Sequence, residues 1–331
     1  MRLVTLEDTR DIFIKFHQRG LPFLFSKLKI DSYQRTKSAF NEKEIETSNF
    51  WCIPEVRLRW NQLVTGDPNT TYEEYLSRNY FRDSAEVKVL ALGSGVCSHE
   101  LLLAELNPHW QIDCFDFSDK LLSTANDIAK DKNLHNISFY AENIMTYDFE
   151  PGKYDMVFFH ASLHHFEHIF QFLKDVVIKS LKPTGHLVIN EFVGKSRLQY
   201  SKEQIHYINK ALEIIPKQYR KIYKTNLYKN HYYGSGVLRM IIADPSECVD
   251  SESIIPAIHK YFDIVDEKAV GNNLLQSVFK DIAHHFVGNE MPDSEKQKIL
   301  QEIFQLEDEF LKSNLSDFVF GVYQLKENNI D

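Results

Sequence analysis

Two glycines one residue apart, an acid some way beyond them and three histidines after a later apolar run are the residues in this chain with chemistry to offer. Gly93-Ser94-Gly95 follows the largely apolar run Val87-Lys88-Val89-Leu90-Ala91-Leu92. Glycines at that spacing let the backbone turn sharply and come close to a ligand with no Cβ in the way. Ser98 is expected to cap a helix that opens with His99-Glu100-Leu101. A glycine turn at a helix N-terminus presents backbone N–H groups to an anionic ligand group. Asp116 follows about twenty residues later, the separation expected of a carboxylate that accepts from ribose hydroxyls. The plainer reading of Asp116 is that it starts the turn before Ser118. His160, His164 and His165 follow the apolar stretch Tyr154–Phe159. Imidazole titrates near neutrality, so any of the three could act as base or hold an acceptor, with His164 the first choice. Their plainer reading is a helix start with one ring buried and one solvated. Glu191, after Leu187-Val188-Ile189-Asn190, could orient an acceptor hydroxyl or amine, act as base, or simply bond a neighbouring helix.

These residues need a frame, and the hydrophobic pattern supplies one. From Val87 onward strands and helices alternate. A strand over Val87–Leu92 leads to a helix over Ser98–Leu106. A strand over Trp110–Phe115 ends at Asp116, and Ser118 caps a helix over Asp119–Lys130. Strands at Ile137–Tyr140 and Tyr154–Phe159 precede a helix at about Ile169–Leu181. The turn Lys182-Pro183-Thr184-Gly185 then enters a strand over His186–Asn190. Repeated βα units predict a doubly wound, parallel sheet with helices on both faces. In such a sheet ligands lie beyond the carboxyl ends of the strands, where Gly93, Gly95 and Asp116 would converge.

The flanking segments read differently. Residues 1–83 predict a helical cap: Thr5 with Asp8 resembles a capping box closed by Gly20, Pro54 opens a helix that Gly66 stops, and Thr71 with Glu74 opens another. Residues 194–250 interrupt the βα pattern and are expected to form a lid. Within them a helix over Ser201–Ile215 is followed by a basic, tyrosine-bearing stretch with Lys217, Arg220, Lys221, Lys224 and Lys229. A helix near Ser253–Phe262, a strand over Phe262–Ala269, a helix over Leu274–Phe286, a long helix over Ser294–Leu311 and a strand over Phe318–Gln324 complete the reading. His284-His285 and Tyr232-Tyr233 are expected to pack.

The chain has 331 residues, 43% of them apolar, which suffices for a large domain with additions. Its net charge of −9 argues against a general polyanion binder. The four cysteines lie far apart with no metal or redox spacing, so neither a disulfide framework nor a required metal is expected. Acids near the start and the lack of a long apolar run argue against a secretory signal and a membrane span, and predict a cytoplasmic protein.

The motifs in order resemble class I S-adenosylmethionine (SAM) dependent methyltransferases. Leu90-Ala91-Leu92-Gly93-Ser94-Gly95-Val96-Cys97 is similar to the family's first motif, and Asp116-Phe117-Ser118 to its ribose acid with the serine that follows. Ala141-Glu142-Asn143-Ile144 resembles the loop that faces adenine. Tyr154 to Phe166 and Leu181 to Ile189 resemble the fourth strand with its loop and the turn into the fifth strand. Stretches outside the motifs, such as Trp51 to Asp67, resemble a bacterial subgroup of the family. Two positions depart from the pattern: Ala91 stands where the family usually has an acid, and Cys97 where it often has a third glycine.

The resemblance implies a seven-stranded, mostly parallel Rossmann-like sheet over residues 84–331, with the terminal β-hairpin of the family and the insertion after the fifth strand. It implies SAM as cofactor. Gly93, Ser94 and Gly95 would cradle its methionine part, Asp116 and Phe117 would lie at the ribose, Glu142 or Asn143 at the adenine, and His160 beside the cofactor. The expected reaction is methyl transfer to an oxygen, nitrogen or carbon of a small molecule, whether sugar-bearing, aromatic or anionic. Three other readings stay open. One is a SAM-binding homologue without turnover. A second is an RNA-modifying methyltransferase gripping phosphates through the basic stretch. The third is a nicotinamide-dependent oxidoreductase, which would prefer a glycine at Ser98.

Overall fold

The computed structural model describes residues 1–19, 49–81, 86–288 and 291–327. The Gly20 helix stop expected from sequence lies outside these residues. The chain divides into two compact units. One comprises Asn61–Val193, Cys248–Lys268 and Val319–Asp331, and the other Met1–Trp60, Gly194–Glu247 and Ala269–Phe318. The division near the N-terminus thus falls at Trp60, not near residue 83.

The first unit is built on the sheet. Its strands are β1 (Val87–Leu92), β2 (Trp110–Asp116), β3 (Ile137–Ala141), β4 (Tyr154–His160), β5 (Leu181–Phe192), β6 (Phe262–Gly271) and β7 (Phe318–Leu325). They lie in the order β3-β2-β1-β4-β5-β7-β6, and the pairs β1–β2, β2–β3, β1–β4 and β4–β5 are parallel. Every β1 residue but Lys88 is buried, as a strand covered on both faces requires. The order reverses between β1 and β4, so the loops leaving those two strands flank a switch-point crevice. One face of the sheet carries a continuous core in which Leu90, Leu92, Val157, Phe159, Leu187 and Ile189 meet Phe172, Val177 and Ile258.

Several elements differ from the sequence reading, each for a local reason. Cys97, not Ser98, is the N-cap of the Ser98–Leu106 helix; it is left-handed (φ 53°) and makes no side-chain cap bond. The loop leaves its last bend at Cys97, so Ser98 is already helical. The expected helix at Ile169–Leu181 is one α-helical turn, Ile169–Phe172, followed by a π-helical stretch, Leu173–Ile178. The turn at Lys182–Gly185 is a bulge within β5: Tyr154 pairs with Leu181, but Met156 pairs with His186.

In the second unit the Lys202–Ile214 helix packs on the Asp293–Leu311 helix, with Tyr207 and Phe310 rings 5.3 Å apart. The Leu6–Arg19 helix is tied down through Asp8, which accepts from Gly236 N and Arg239 Nε at 2.9 Å each. The helix expected over Leu274–Phe286 is two short ones, Leu275–Phe279 and His284–Val287. Asp281 between them is left-handed (φ 67°), and the Lys229 ammonium donates to the carbonyls of Ser277 and Lys280 at 2.5 and 2.7 Å. Those carbonyls are the ones a continuing helix would need.

The Tyr72–Asn79 helix, in the sheet unit, begins with a full capping box. Thr71 Oγ1 accepts from Glu74 N at 3.3 Å, and Glu74 Oε2 accepts from Thr71 N at 3.0 Å. Thr71→Ala should cost about 1 kcal/mol, the usual worth of such a cap. Urea unfolding should show a lower midpoint at unchanged slope.

Candidate functional site

The glycine bend is held by both neighbours of β1. Gly93 N donates to the Phe115 carbonyl at 2.8 Å, and Cys97 N to the Ser94 carbonyl at 2.8 Å. Gly93 (φ 72°) and Gly95 (φ 55°) are left-handed, and so is Cys97. A Cβ at Gly93 would stand 2.9 Å from Ser162 Cβ, so both backbone angle and space demand glycine there. At Gly95 the space is open, with only Leu121 Cδ1 at 4.0 Å. Asp116 sits under the bend and is buried. Its Oδ2 accepts from Gly95 N at 2.9 Å and its Oδ1 from Ser118 N at 2.7 Å. The carboxylate therefore both braces the glycine bend and starts the turn into the Asp119–Asp131 helix, which Ser118 caps.

Across the crevice, the end of β5 grips the loop leaving β4. Glu191 is fully buried. Its Oε2 accepts from Ser162 N at 2.8 Å and Leu163 N at 2.6 Å, and its Oε1 from Phe192 N at 2.7 Å. Oε1 also lies 2.5 Å from His164 Nδ1. A carboxylate has only acceptors, so the Nδ1 proton sits between them and the His164 ring is held in one orientation, with Nε2 at its far end. Ser162 Oγ completes the junction by donating to the Leu92 carbonyl at 2.8 Å. His165 is half-buried, its ring 4.2 Å from that of His164.

His160 ends β4 in a different setting. Its Nδ1 lies 2.8 Å from Tyr72 Oη and 3.3 Å from Asn190 Nδ2, and its ring stacks on His99 with centroids 3.4 Å apart. The amide nitrogen of Asn190 can only donate, so Nδ1 is an acceptor and the ring proton is assigned to Nε2. Burial, with the neighbouring His99, holds His160 well below the ordinary imidazole range, so it is neutral. His99 Nδ1 in turn lies 2.6 Å from Glu73 Oε1. Glu100, on the first turn of the same helix as His99, is buried, and burial raises its carboxyl to about 7 against opposing effects of His99 and Ser94. Two buried polar atoms in this region, Ser94 Oγ and Asn190 Oδ1, have no hydrogen-bond partner.

The remaining sequence-named residues are placed as follows. Glu142 is exposed, and its N donates to the Asp116 carbonyl at 3.1 Å. Asn143 is exposed and its Oδ1 accepts from Met145 N at 3.1 Å, which makes it a turn former next to the end of β3. Phe117 is half-buried. In the other unit the basic stretch is not one solvated face: Lys229 is buried on carbonyls, while Lys221 and Lys224 line a cleft of about 540 Å³ with His284 and His285. His285 packs, as expected, with Nε2 2.9 Å from the Lys221 carbonyl. Tyr232 is buried, but Tyr233 is exposed, contrary to the expectation for the pair.

Sequence reasoning missed Tyr72, His99, Glu100 and Asn190. For Glu100 a signal was present. It shares the inward face of its helix with Leu103 and Ala104, where a charge is out of pattern. Nothing in the sequence joins Tyr72 to His160, which are 88 positions apart.

Comparisons with known proteins bear on the fold that carries these residues. Residues 83–235 match the profile of a methyltransferase domain family. A release factor glutamine methyltransferase of Coxiella burnetii is 24% identical over 128 residues, 36% of this chain; the chain spans 46% of that protein's length. The solved phosphoethanolamine N-methyltransferase 2 of Haemonchus contortus with S-adenosyl-L-methionine superposes with a TM-score of 0.52 at 12% identity, over 88% of this chain and 60% of that one. The [4+2]-cyclase SpnF gives a TM-score of 0.46 at 14% identity, over 77% of this chain and 79% of that one. Among the described residues no helix is long and apolar enough to cross a membrane. The strand order is that of a Rossmann-like sheet, and residues 83–235 are similar to a methyltransferase domain, as the ordered motifs are to class I S-adenosylmethionine-dependent methyltransferases.

Proposed function

We propose that this protein transfers a methyl group from SAM to an oxygen, nitrogen or carbon atom of a small-molecule acceptor, with His164 as the base. The observation that carries the reading is the pairing of a braced glycine bend on one side of the switch point with a carboxylate-oriented histidine on the other. The residues present suit the cofactor. Gly93 and Gly95 keep the bend free of side chains, and Ser94 Oγ and Asn190 Oδ1 are buried polar atoms in want of partners. Asp116, whose carboxylate accepts from Gly95 N and Ser118 N beside the bend, is assigned to the ribose hydroxyls. Glu142, Asn143 and Phe117 stand at the ends of β2 and β3, the side on which adenine is expected.

The sulfonium of SAM supplies a methyl group already activated toward nucleophiles. What this chain must add is alignment and, for a hydroxyl or protonated amine, removal of one proton. In this proposal His164 takes that proton at Nε2 while Glu191 supports the charge that appears on the ring. Glu191 is then a positioning residue. Neutral His160, fixed by Tyr72 and Asn190, is a polar wall of the site and His165 a neighbour of the base.

Three substitutions test these roles. Asp116→Ala should weaken SAM binding in calorimetry by about 1–3 kcal/mol, the worth of hydrogen bonds to a charged group; unchanged affinity would remove it from the ribose site. His164→Ala should lower transfer of labelled methyl to a small-molecule fraction by roughly 10²–10⁴-fold, as loss of a general base does. SAM affinity should stay within about twofold of wild type in that variant; binding without transfer in the wild type would instead favour a homologue that holds the cofactor without turnover. Glu191→Gln, which exchanges an acceptor for an amide beside three backbone N–H groups, should lower stability by about 1–3 kcal/mol and transfer with it. His164→Ala should leave stability much closer to wild type in the same denaturant titration.

A further inference from the structure

The first strand of the sheet lacks an acid beneath its glycine bend: the residue there is Ala91, fully buried and in register with Cys114 on β2 and Phe158 on β4. A carboxyl group is nevertheless present in that region, contributed by the helix. Glu100 is 3% exposed and lies on the first turn of the Ser98–Leu106 helix. It is buried together with Leu101, Leu103 and Ala104 where the helix packs on β2, and none of these belongs to the core on the Leu90 and Leu92 face, so Glu100 faces the side of the sheet on which Ala91 and Cys114 lie. The charged and titratable groups around it are His99, Glu73, Tyr72, Cys97 and Cys114. The nearest cation-forming group, His99, is already bound to Glu73 at 2.6 Å.

Two polar atoms gathered here are unmet, one a pure acceptor and one a hydroxyl. Asn190 Oδ1 is a buried acceptor with no donor, on a residue 1% exposed, and its amide nitrogen shares His160 Nδ1 with Tyr72 Oη, while the His160 ring stacks on His99, the helix neighbour of Glu100. Ser94 Oγ is a second buried atom without a partner. Acceptors buried without donors are costly, and a carboxylate buried without a cation more so. A ligand group with several N–H donors and a positive charge would answer both. Resting on the methyltransferase reading above, we propose that Glu100 is the carboxylate that receives the α-ammonium group of SAM, taking from the helix the place that Ala91 leaves empty on the strand.

Calorimetry on the full chain tests this, with SAM, its demethylated product, and an analogue of that product lacking the α-amino group. Glu100→Gln should bind SAM and the demethylated product ten- to a hundredfold more weakly than wild type, and the deaminated analogue as well as wild type does. The double variant Ala91→Asp/Glu100→Gln, which returns a carboxylate from the strand side, should recover most of the loss. Stability separates binding from folding. The free Glu100 carboxyl is raised to about 7 by burial, above the ordinary 4.5, so the native state loses stability as pH rises across that window. Glu100→Gln has no such loss, and its ligand-free melting temperature at pH 8 should equal or exceed that of wild type. A Glu100→Gln protein that binds SAM within twofold of wild type, or that loses the deaminated analogue equally, would overturn the assignment while leaving the cofactor reading intact. Wild-type protein that binds neither SAM nor its product would overturn both.

Discussion

A single buried carboxylate, that of Glu191, holds the site side of the sheet together. It closes hydrogen bonds to three backbone N–H groups and one imidazole across the ends of β4 and β5. A charge with no exposure is tolerable only when its lone pairs are met, and here four donors meet them. The consequence reaches beyond the carboxylate. Ser162 and Leu163 are fixed, Ser162 Cβ is pressed against Gly93, and the His164 ring cannot turn. The glycine at 93 and the orientation of the histidine are thus set by one group.

On the other side of the switch point Asp116 has the corresponding role for the bend after β1. It draws Gly95 N and Ser118 N toward one carboxylate and so couples the glycine turn to the start of the next helix. Cys97 shows what this constraint demands. A left-handed conformation at a residue with a Cβ is unfavourable, yet Cys97 holds φ 53° at complete burial. A small side chain with one γ atom is among the few that fit such a place.

The βα alternation, the bend at Gly93–Gly95, the strand end at Asp116 and the capping boxes at Thr5 and Thr71 were all legible in the chain, because each is a near-neighbour preference of backbone or side chain. Boundaries failed where a distant group intervened. The Lys229 ammonium, some fifty positions away, takes the carbonyls that would have continued the Leu275–Phe279 helix. The bulge at Lys182–Gly185 arises from register with β4, which no local pattern states. Lys229 reads in the sequence as one of a basic stretch, and its burial reflects partners outside that stretch.

For the site the same distinction holds. The residue types and their order along the chain determined the fold class and the strand ends at which chemistry could occur. Only tertiary structure decided that Glu191 orients His164, that Tyr72 reaches His160, and that a helix residue, Glu100, is buried where its helix packs on the sheet. Local conformation depends on neighbours within a few residues, whereas these pairings depend on strand order, register and which side of the sheet each side chain takes, quantities that exist only once the sheet has closed.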